Sequence, residues 1–323
     1  MDKPVVILTG GTGYIGSHTI IELLQNGFEV VSIDNYCRSS PKVLDLINKV
    51  TGKAVKNYNI DLCDSPKVDQ LLSELSNIVG IIHFAAYKSV PESVGDPGLY
   101  YRNNLFSLIN ILNGAVKYNI KNFVFSSSCS VYGDIDKLPV SEHTILSKSK
   151  SPYAATKVMG EAIVQDFAGA HKINTICLRY FNPVGAHPSG LIGEMPLQRP
   201  DNLVPVITQT AAGKRDKLTV FGSNLPTRDG SCVRDYVHVM DVASAHVLAF
   251  QYLQRSKYVC ETINIGTGEG VTVLEAIHAF EQVSGTKLNY ELGDYREGDV
   301  VEIYSDAKKA TELLGWQPKY SLH

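Results

Sequence analysis

Tyr153 and Lys157 stand four residues apart in SPYAATK. On a helix that spacing puts both side chains on one face. A free phenol ionises near pH ~10. A neighbouring ammonium favours the phenolate and lowers that figure. A phenolate so placed can take a proton from an alcohol while hydride leaves the same carbon. YxxxK is common by chance, and Ser128 adds weight to it. It closes FSSS in FSSSCSVYG, at the end of a predicted strand, where the carboxyl edge of a parallel sheet builds sites. A hydroxyl there bridges substrate and tyrosine, whereas Ser126 and Ser127 read as turn formers.

Hydride chemistry needs a carrier, and a place for one precedes the first helix. Gly10-Gly11-Thr12-Gly13-Tyr14-Ile15-Gly16 is a GxxGxxG run at a strand-to-helix turn. Gly10, Gly13 and Gly16 permit a tight turn and close backbone approach to a pyrophosphate, and the helix N-terminus offers free N–H groups. Such a run alone also makes a plain turn. Asp34, 24 residues after Gly10 at the end of the second strand, accepts from an adenosine ribose and repels a 2′-phosphate, which favours NAD over NADP. Arg38 nearby weakens that preference. Asp61, after the third strand, can reach the adenine side. The small residues of HFAA (83–86) let a dinucleotide cross the sheet edge, with Lys88 just beyond.

These residues need a scaffold, and the first half alternates strand and helix. PVVILT (4–9), Glu29 to Ile33, Ala54 to Ile60, IVGIIHF (78–84), KNFVFSSS (121–128) and NTICLRY (174–180) read as strands. Helices follow the glycine run and open at Pro41, Ser65-Pro66, Asp96-Pro97 and Ser151-Pro152. This is an α/β pattern, a Rossmann-type doubly wound parallel sheet. After Tyr180 the pattern loosens into a Gly- and Pro-rich loop over 182–202, of a length that usually serves function. Mixed elements follow: a helix near 203–213, LTVF, a helix at 238–254, and ETINIG. The expected division is a cofactor domain over 1–180, joined by 238–265. A smaller C-terminal α/β substrate-binding domain takes 181–237 and 266–323. The chain closes on WQPKYSLH without a final helix, which reads as a short or shortened C-terminus.

Composition narrows the classes. At 323 residues and 44% hydrophobic, the chain can bury a core without disulfide or metal. A net charge of −3 argues against nucleic-acid binding by bulk charge. No apolar run reaches membrane-spanning length, and MDKPVVILTGGTG does not read as a secretory signal. Six scattered cysteines without a CxxC pair read as reduced thiols in a cytoplasmic protein. The nine histidines lack metal-ligand spacing, so no metal is expected.

Together, GGTGYIG, Asp34, HFAA, SSSCSVYG and YAATK resemble the extended short-chain dehydrogenase/reductase family. LRYFNPVGAHPSGLIGE (178–194), NLVP (202–205), VFG (220–222), RDYVHVMD (234–241) and REGD (296–299) are similar to its UDP-glucose (UDP-galactose) 4-epimerase branch. The resemblance covers nearly the whole chain. It implies that Tyr14, Ile15, Asp34, Asn35, Asp61, Leu62, Phe84, Ala85, Lys88, Asn103 and Phe181 contact NAD, and that Ser128, Tyr153 and Lys157 do the chemistry. It implies further that Asn182, Asn202, Leu203, Phe221, Arg234, Arg296 and Asp299 hold the UDP group. Two arginines suit a diphosphate through forked, charge-assisted bonds, and Phe221 offers an apolar face to uracil. Ile303 falls where residue size tunes tolerance of N-acetylated sugars. Its volume is intermediate, so hexose, N-acetylhexosamine and uronate stay open.

The implied reaction is C4 epimerisation of a UDP-sugar through a 4-keto intermediate, in a homodimer joined by helices 96–118 and 152–170. One rival on the same fold is a nucleotide-sugar dehydratase or decarboxylase. A dehydratase needs a carboxylate pair after the serine, where this chain has Cys129 and Ser130. The other rival is a non-catalytic NAD-sensing protein, of a kind that typically lacks the Tyr/Lys pair present here.

Overall fold

A computed structural model of the chain describes residues 4–197, 200, 202–295 and 299–322. The alternating half gives β1 (Val5–Thr9), α1 (Tyr14–Gln25), β2 (Glu29–Ile33), α2 (Lys42–Thr51), β3 (Lys56–Tyr58) and α3 (Ser65–Glu74). It continues with β4 (Ile78–His83), α4 (Val90–Gly95), α5 (Pro97–Lys117), β5 (Asn122–Ser128), α6 (Pro152–His171) and β6 (Asn174–Tyr180). Then come β7 (Asn182–Val184), α7 (Leu203–Ala211), β8 (Leu218–Phe221), β9 (Val233–Arg234), β10 (Tyr236–His238), α8 (Val239–Gln254) and β11 (Cys260–Ile265). The last elements are β12 (Val271–Thr272), α9 (Val273–Ser284), β13 (Tyr290–Gly293), β14 (Glu302–Ile303) and α10 (Lys308–Leu314).

Seven parallel strands form the main sheet in the order β11-β6-β5-β4-β1-β2-β3. Side chains alternate across each strand. In β1, Val6 and Leu8 pack with Ile20, Ile47 and Phe250 of α1, α2 and α8. Ile7 faces the other way, with Leu71, Leu108 and Val164 of α3, α5 and α6. Both faces are covered, so the strands read as continuous apolar runs. From β1 the chain winds outward through β2 and β3, then returns to place β4 on the other side of β1. At that reversal the carboxyl ends part and leave a crevice.

Side-chain caps fix three of the helices that flank the crevice. Asp64, Asp96 and Ser151 accept from the N–H groups of Lys67, Leu99 and Ala154 at 3.3, 3.0 and 3.2 Å, and each helix carries proline in its first turn. Three helices fall outside the expected pattern: α4, α10 and the twelve-residue α9. The first two are short, six and seven residues, and carry little periodicity.

The residues after β6 build a smaller lobe. Its β8–β13 pair packs with α7 and α9 around Ile207, Leu218, Val220, Ile277 and Leu288. A second small sheet, β12-β9-β14, carries Arg234 and Ile303 as register partners. The chain then turns back. Ala310, Leu314 and Trp316 join the main core on the α8 side. The Trp316 indole donates to the Asp241 carbonyl at 2.9 Å. The Asp241 carboxylate accepts from the Lys319 and Tyr320 N–H groups, both at 3.1 Å, and Tyr320 stacks on His238 with ring centres 4.1 Å apart.

Candidate active site

The glycine run lies in the crevice between β1 and β4. Gly10 has a φ of 71°, which a side chain rarely tolerates, and a Cβ there would stand 2.9 Å from the Ala85 nitrogen. A Cβ on Gly16 would come 2.3 Å from the Gly10 carbonyl oxygen. Gly13 donates to that same oxygen at 3.1 Å and occupies the cap position of α1 without any side chain capping the helix. The first-turn N–H groups therefore face the crevice with no side-chain acceptor of their own, as a pyrophosphate requires. Ile15 packs against the core below. The Tyr14 hydroxyl donates to the Gly185 carbonyl at 2.7 Å, and burial raises its pKa.

Asp34 is tied to this loop. Its carboxylate accepts from the Thr12 N–H at 3.1 Å, the Tyr36 N–H at 2.9 Å and the Ser39 hydroxyl at 3.0 Å. Arg38 turns towards α4 instead: its guanidinium pairs with Glu92 at 2.6 Å and lies 4.7 Å above the Tyr87 ring. Asn35 and Asp61 each accept from the backbone two residues on, at Cys37 and Cys63. Leu62 is buried, and its carbonyl accepts from Asn110. Phe84 lies 4.5 Å from the His246 ring, and the Ala85 N–H donates to the Thr9 hydroxyl at 3.4 Å. Lys88 is exposed and pairs with Glu194 at 2.8 Å. Asn103 donates to the Asn104 side chain, which also accepts from the Tyr87 N–H at 2.8 Å and donates to Thr156 at 3.1 Å. The sequence did not single out Asn104, yet it fixes the loop after β4 against α6.

The three serines of β5 are strand residues rather than turn formers, and each has its own partner. Ser126 hydrogen-bonds the Tyr180 hydroxyl on β6. Ser127 donates to Glu161. Ser128, at the carboxyl end, accepts from the Ser130 N–H at 3.2 Å and lies near enough to the Tyr153 phenol to lower its pKa. Tyr153 sits in the first turn of α6, just after its Ser151 cap. Burial pushes the phenol up to about 12, Ser128 pulls against that, and Cys129 adds to the rise. Lys157, four residues on and 4% exposed, donates to the Ser126 carbonyl at 2.7 Å. Burial pulls its ammonium down to about 8, with Glu161 opposing. Glu161 is held by the Arg179 guanidinium at 2.6 and 2.9 Å. Burial thus dominates, and the phenol is raised rather than lowered as the sequence suggested.

Phe181 is buried against Tyr132, 6.4 Å between ring centres, in a cluster with Val131, Val140 and Ile303. The Asn182 N–H donates to the Asp235 carbonyl at 2.9 Å, while its side-chain oxygen is buried without a hydrogen-bond partner. Such an atom is costly unless a ligand completes it. Asp235 itself, 0% exposed, accepts from the N–H and hydroxyl of Thr267 and of Ser305 and from the Gly268 N–H, at 2.7–3.1 Å. It pins three segments around the substrate side. Neighbouring Arg234 donates to the Val233 carbonyl at 2.8 Å.

Asn202 starts α7 and donates to Glu194 at 2.8 Å, and Leu203 packs into the smaller lobe's core. Phe221, at the end of β8, is 43% exposed. The Asp299 carbonyl accepts from the Tyr295 hydroxyl. Arg296 lies outside the described residues. Ile303 is 4% exposed, so it forms part of a packed wall. Glu194, Asp235 and the Glu161–Arg179 pair were not singled out from sequence, although Arg179, Glu194 and Asp235 lie inside the stretches that carried the resemblance. No group of three or more His, Cys, Asp or Glu that could hold a metal occurs among the described residues.

The family described as GDP-mannose 4,6 dehydratase matches residues 7–323. UDP-glucose 4-epimerase uge1 of Schizosaccharomyces pombe is 44% identical over 323 residues, covering 98% of this chain and 90% of that protein. The crystal structure of UDP-glucose 4-epimerase from Bifidobacterium longum with NAD⁺ and UDP superposes with a TM-score of 0.95 at 42% identity, over 98% of this chain and 94% of that one. That of the enzyme from Stenotrophomonas maltophila, with NAD and formylated UDP-arabinopyranose, has the same TM-score and identity over 99% and 95%.

Proposed function

The chain belongs to the UDP-glucose 4-epimerase family of extended short-chain dehydrogenase/reductases, and on that premise we propose that it interconverts UDP-glucose and UDP-galactose through a 4-keto sugar. The observation that carries the reading is the convergence of Ser128, at the carboxyl end of β5, with Tyr153 in the first turn of α6 and with Lys157, whose ammonium is 5.9 Å from the Tyr153 ring centre and fixed by the Ser126 carbonyl. The glycine crevice, the uncapped start of α1 and Asp34 fit NAD. When bound, NAD supplies the acceptor and donor of the C4 hydride and a positive charge that favours the Tyr153 phenolate.

Tyr153 takes the proton of the 4′-hydroxyl, and Ser128 holds that oxygen and shares its hydrogen bond. Lys157 stabilises the phenolate and is itself fixed by the Ser126 carbonyl. The Asn182 side-chain oxygen accepts from the sugar. Arg234 and Arg296 grip the diphosphate, Asn202 and Leu203 border it, Phe221 covers uracil and Asp299 accepts from the ribose. The UDP grip would hold while the keto sugar turns its other face at C4 to the bound cofactor, and Tyr153 would return the proton to the 4′-oxygen. Elimination of water would need a carboxylate beside Ser128. Cys129 and Ser130 stand there instead, which favours epimerisation over the dehydratase chemistry in the matching family's description.

The proposed division is a cofactor domain of 1–180 with 238–265 and a substrate domain of 181–237 with 266–323, the latter sending α10 and Trp316 back onto the first. A homodimer through α5 and α6 is supported by Phe106 and Met159, 53% and 44% exposed on those helices. A cytoplasmic location is supported by six free cysteines. No described helix is long and apolar enough to cross a membrane.

The test is UDP-galactose deuterated at C4, run in ordinary water and followed by product NMR. Epimerisation by this route yields UDP-glucose with the label still at C4 and no growth of free NADH. Loss of the label to solvent, or stoichiometric NADH, would overturn the reading.

A further inference from the structure

One carboxylate oxygen joins the two halves of the site. Glu194 Oε1 accepts from Lys88 Nζ and from Asn202 Nδ2, both at 2.8 Å. Lys88 follows β4 on the cofactor side, and Asn202 opens α7 in the smaller lobe. The Glu194 side chain is only 13% exposed, against 62% for Lys88, so water screens the pair less than a surface ion pair.

The loop that carries Glu194 is held along its length. Tyr14, the first residue of α1, donates to Gly185 at 2.7 Å. Ala186 and Gly193 form an antiparallel bridge, and His187 donates to the Ile192 carbonyl at 2.8 Å. Ile192, 1% exposed, plugs into the main core. One end of this staple therefore touches the glycine helix, and the other end touches both Lys88 and Asn202. Whatever seats a dinucleotide against Tyr14 and Lys88 also sets the position of Glu194, and through it Asn202.

We propose that Glu194 is a positioning residue that couples the two binding events, so that an occupied UDP site slows the loss of NAD. The proposal rests on the reading of Lys88 and Asn202 given above. Coupling between two sites is reciprocal in binding free energy, so the same link makes the NAD-loaded protein hold UDP more tightly.

The experiment uses the NAD-loaded protein. NAD release into a filtrate is timed with and without saturating UDP, and UDP affinity is measured by calorimetry. In the parent protein UDP should slow release by at least about fivefold, the lower end of ordinary coupling. In Glu194→Gln, which keeps the shape and removes the charge, the slowing should fall below about twofold and UDP should bind roughly tenfold more weakly, while kcat at saturation stays within about threefold. Lys88→Met should lose the same UDP effect on NAD release, and the double variant should be no worse than either single one. Full UDP-dependent slowing in Glu194→Gln, or additive effects in the double variant, would overturn the coupling while leaving the epimerase reading intact. A parent protein that holds NAD yet binds no UDP would overturn both.

Discussion

The Lys157 ammonium donates to the Ser126 carbonyl at 2.7 Å, two residues before the serine that meets Tyr153. One strand end thus fixes both the acid/base and its helper. Burial pulls Lys157 down to about 8, so below that pH it stays charged and favours phenolate. Tyr153→Phe should keep fold and NAD while losing activity by roughly 10²–10⁴-fold, the worth of a placed acid/base. Lys157→Met removes the helping charge, so the acid limb of kcat/KM against pH should move to higher pH by about one unit or more. Turnover of Tyr153→Phe at the parental rate would remove Tyr153 from the chemistry.

Gly16 and Gly169 should respond oppositely to alanine. At Gly16 the new Cβ would meet the Gly10 carbonyl oxygen at 2.3 Å. The overpacking should cost about 1–3 kcal/mol and strip NAD during gel filtration. At Gly169, in α6, nothing lies within 4 Å, so alanine should stabilise the helix by roughly 0.5–1 kcal/mol. Thermal melts and the absorbance ratio of bound cofactor to protein read both.

Acid should weaken the fold through three buried histidines. Burial lowers His18, His83 and His246 to about 4, 3 and 4, against about 6.5 when unfolded. Between those values the unfolded chain binds the extra protons, so stability is present above pH 6.5 and is lost as pH falls towards 4. Each group adds a slope of about 1.4 kcal/mol per pH unit in that window. Urea midpoints across the window should fall with acid, and His246→Gln should flatten the profile by one such increment. A level profile would contradict neutral burial.

Ile303 stands opposite Arg234 in the β14–β9 register and packs with Phe181. Ile303→Ala should cost roughly 2–5 kcal/mol through the cavity it leaves and raise the use of N-acetylated UDP-sugars relative to plain hexoses. Ile303→Tyr should lower that ratio and cost about 1–3 kcal/mol by overpacking. An unchanged kcat/KM ratio in both variants would show that residue 303 packs the wall without facing the sugar.

Much of the large sheet was legible because its strands are buried on both faces and read as unbroken apolar runs. Their ends were less so: the third strand is Lys56–Tyr58, shorter than the 54–60 stretch suggests. In the smaller lobe β9, β12 and β14 have two residues each, too few for any alternation to show. The glycine loop was legible because Gly10 and Gly16 answer to local backbone sterics. Asn104, Glu194 and Asp235 were not, because each acts through partners distant in sequence, 106 positions away for Glu194 and Lys88. Ser126 and Ser127 misled for the same reason: their partners, Tyr180 and Glu161, come from other elements.

The return of α10 and Trp316 to the main core changes how the protein can open. The smaller lobe leaves the large one after β6, hands the chain back for α8 and β11, leaves again, and is finally stitched down by Trp316 and Asp241. It is bound like a page along both margins rather than hung from a single hinge. A wide swing of the lobe would have to break the tail's bonds to Asp241 and the Tyr320–His238 stack. A nucleotide entering or leaving therefore passes between lobes that stay joined at both margins, not through the parting of two bodies.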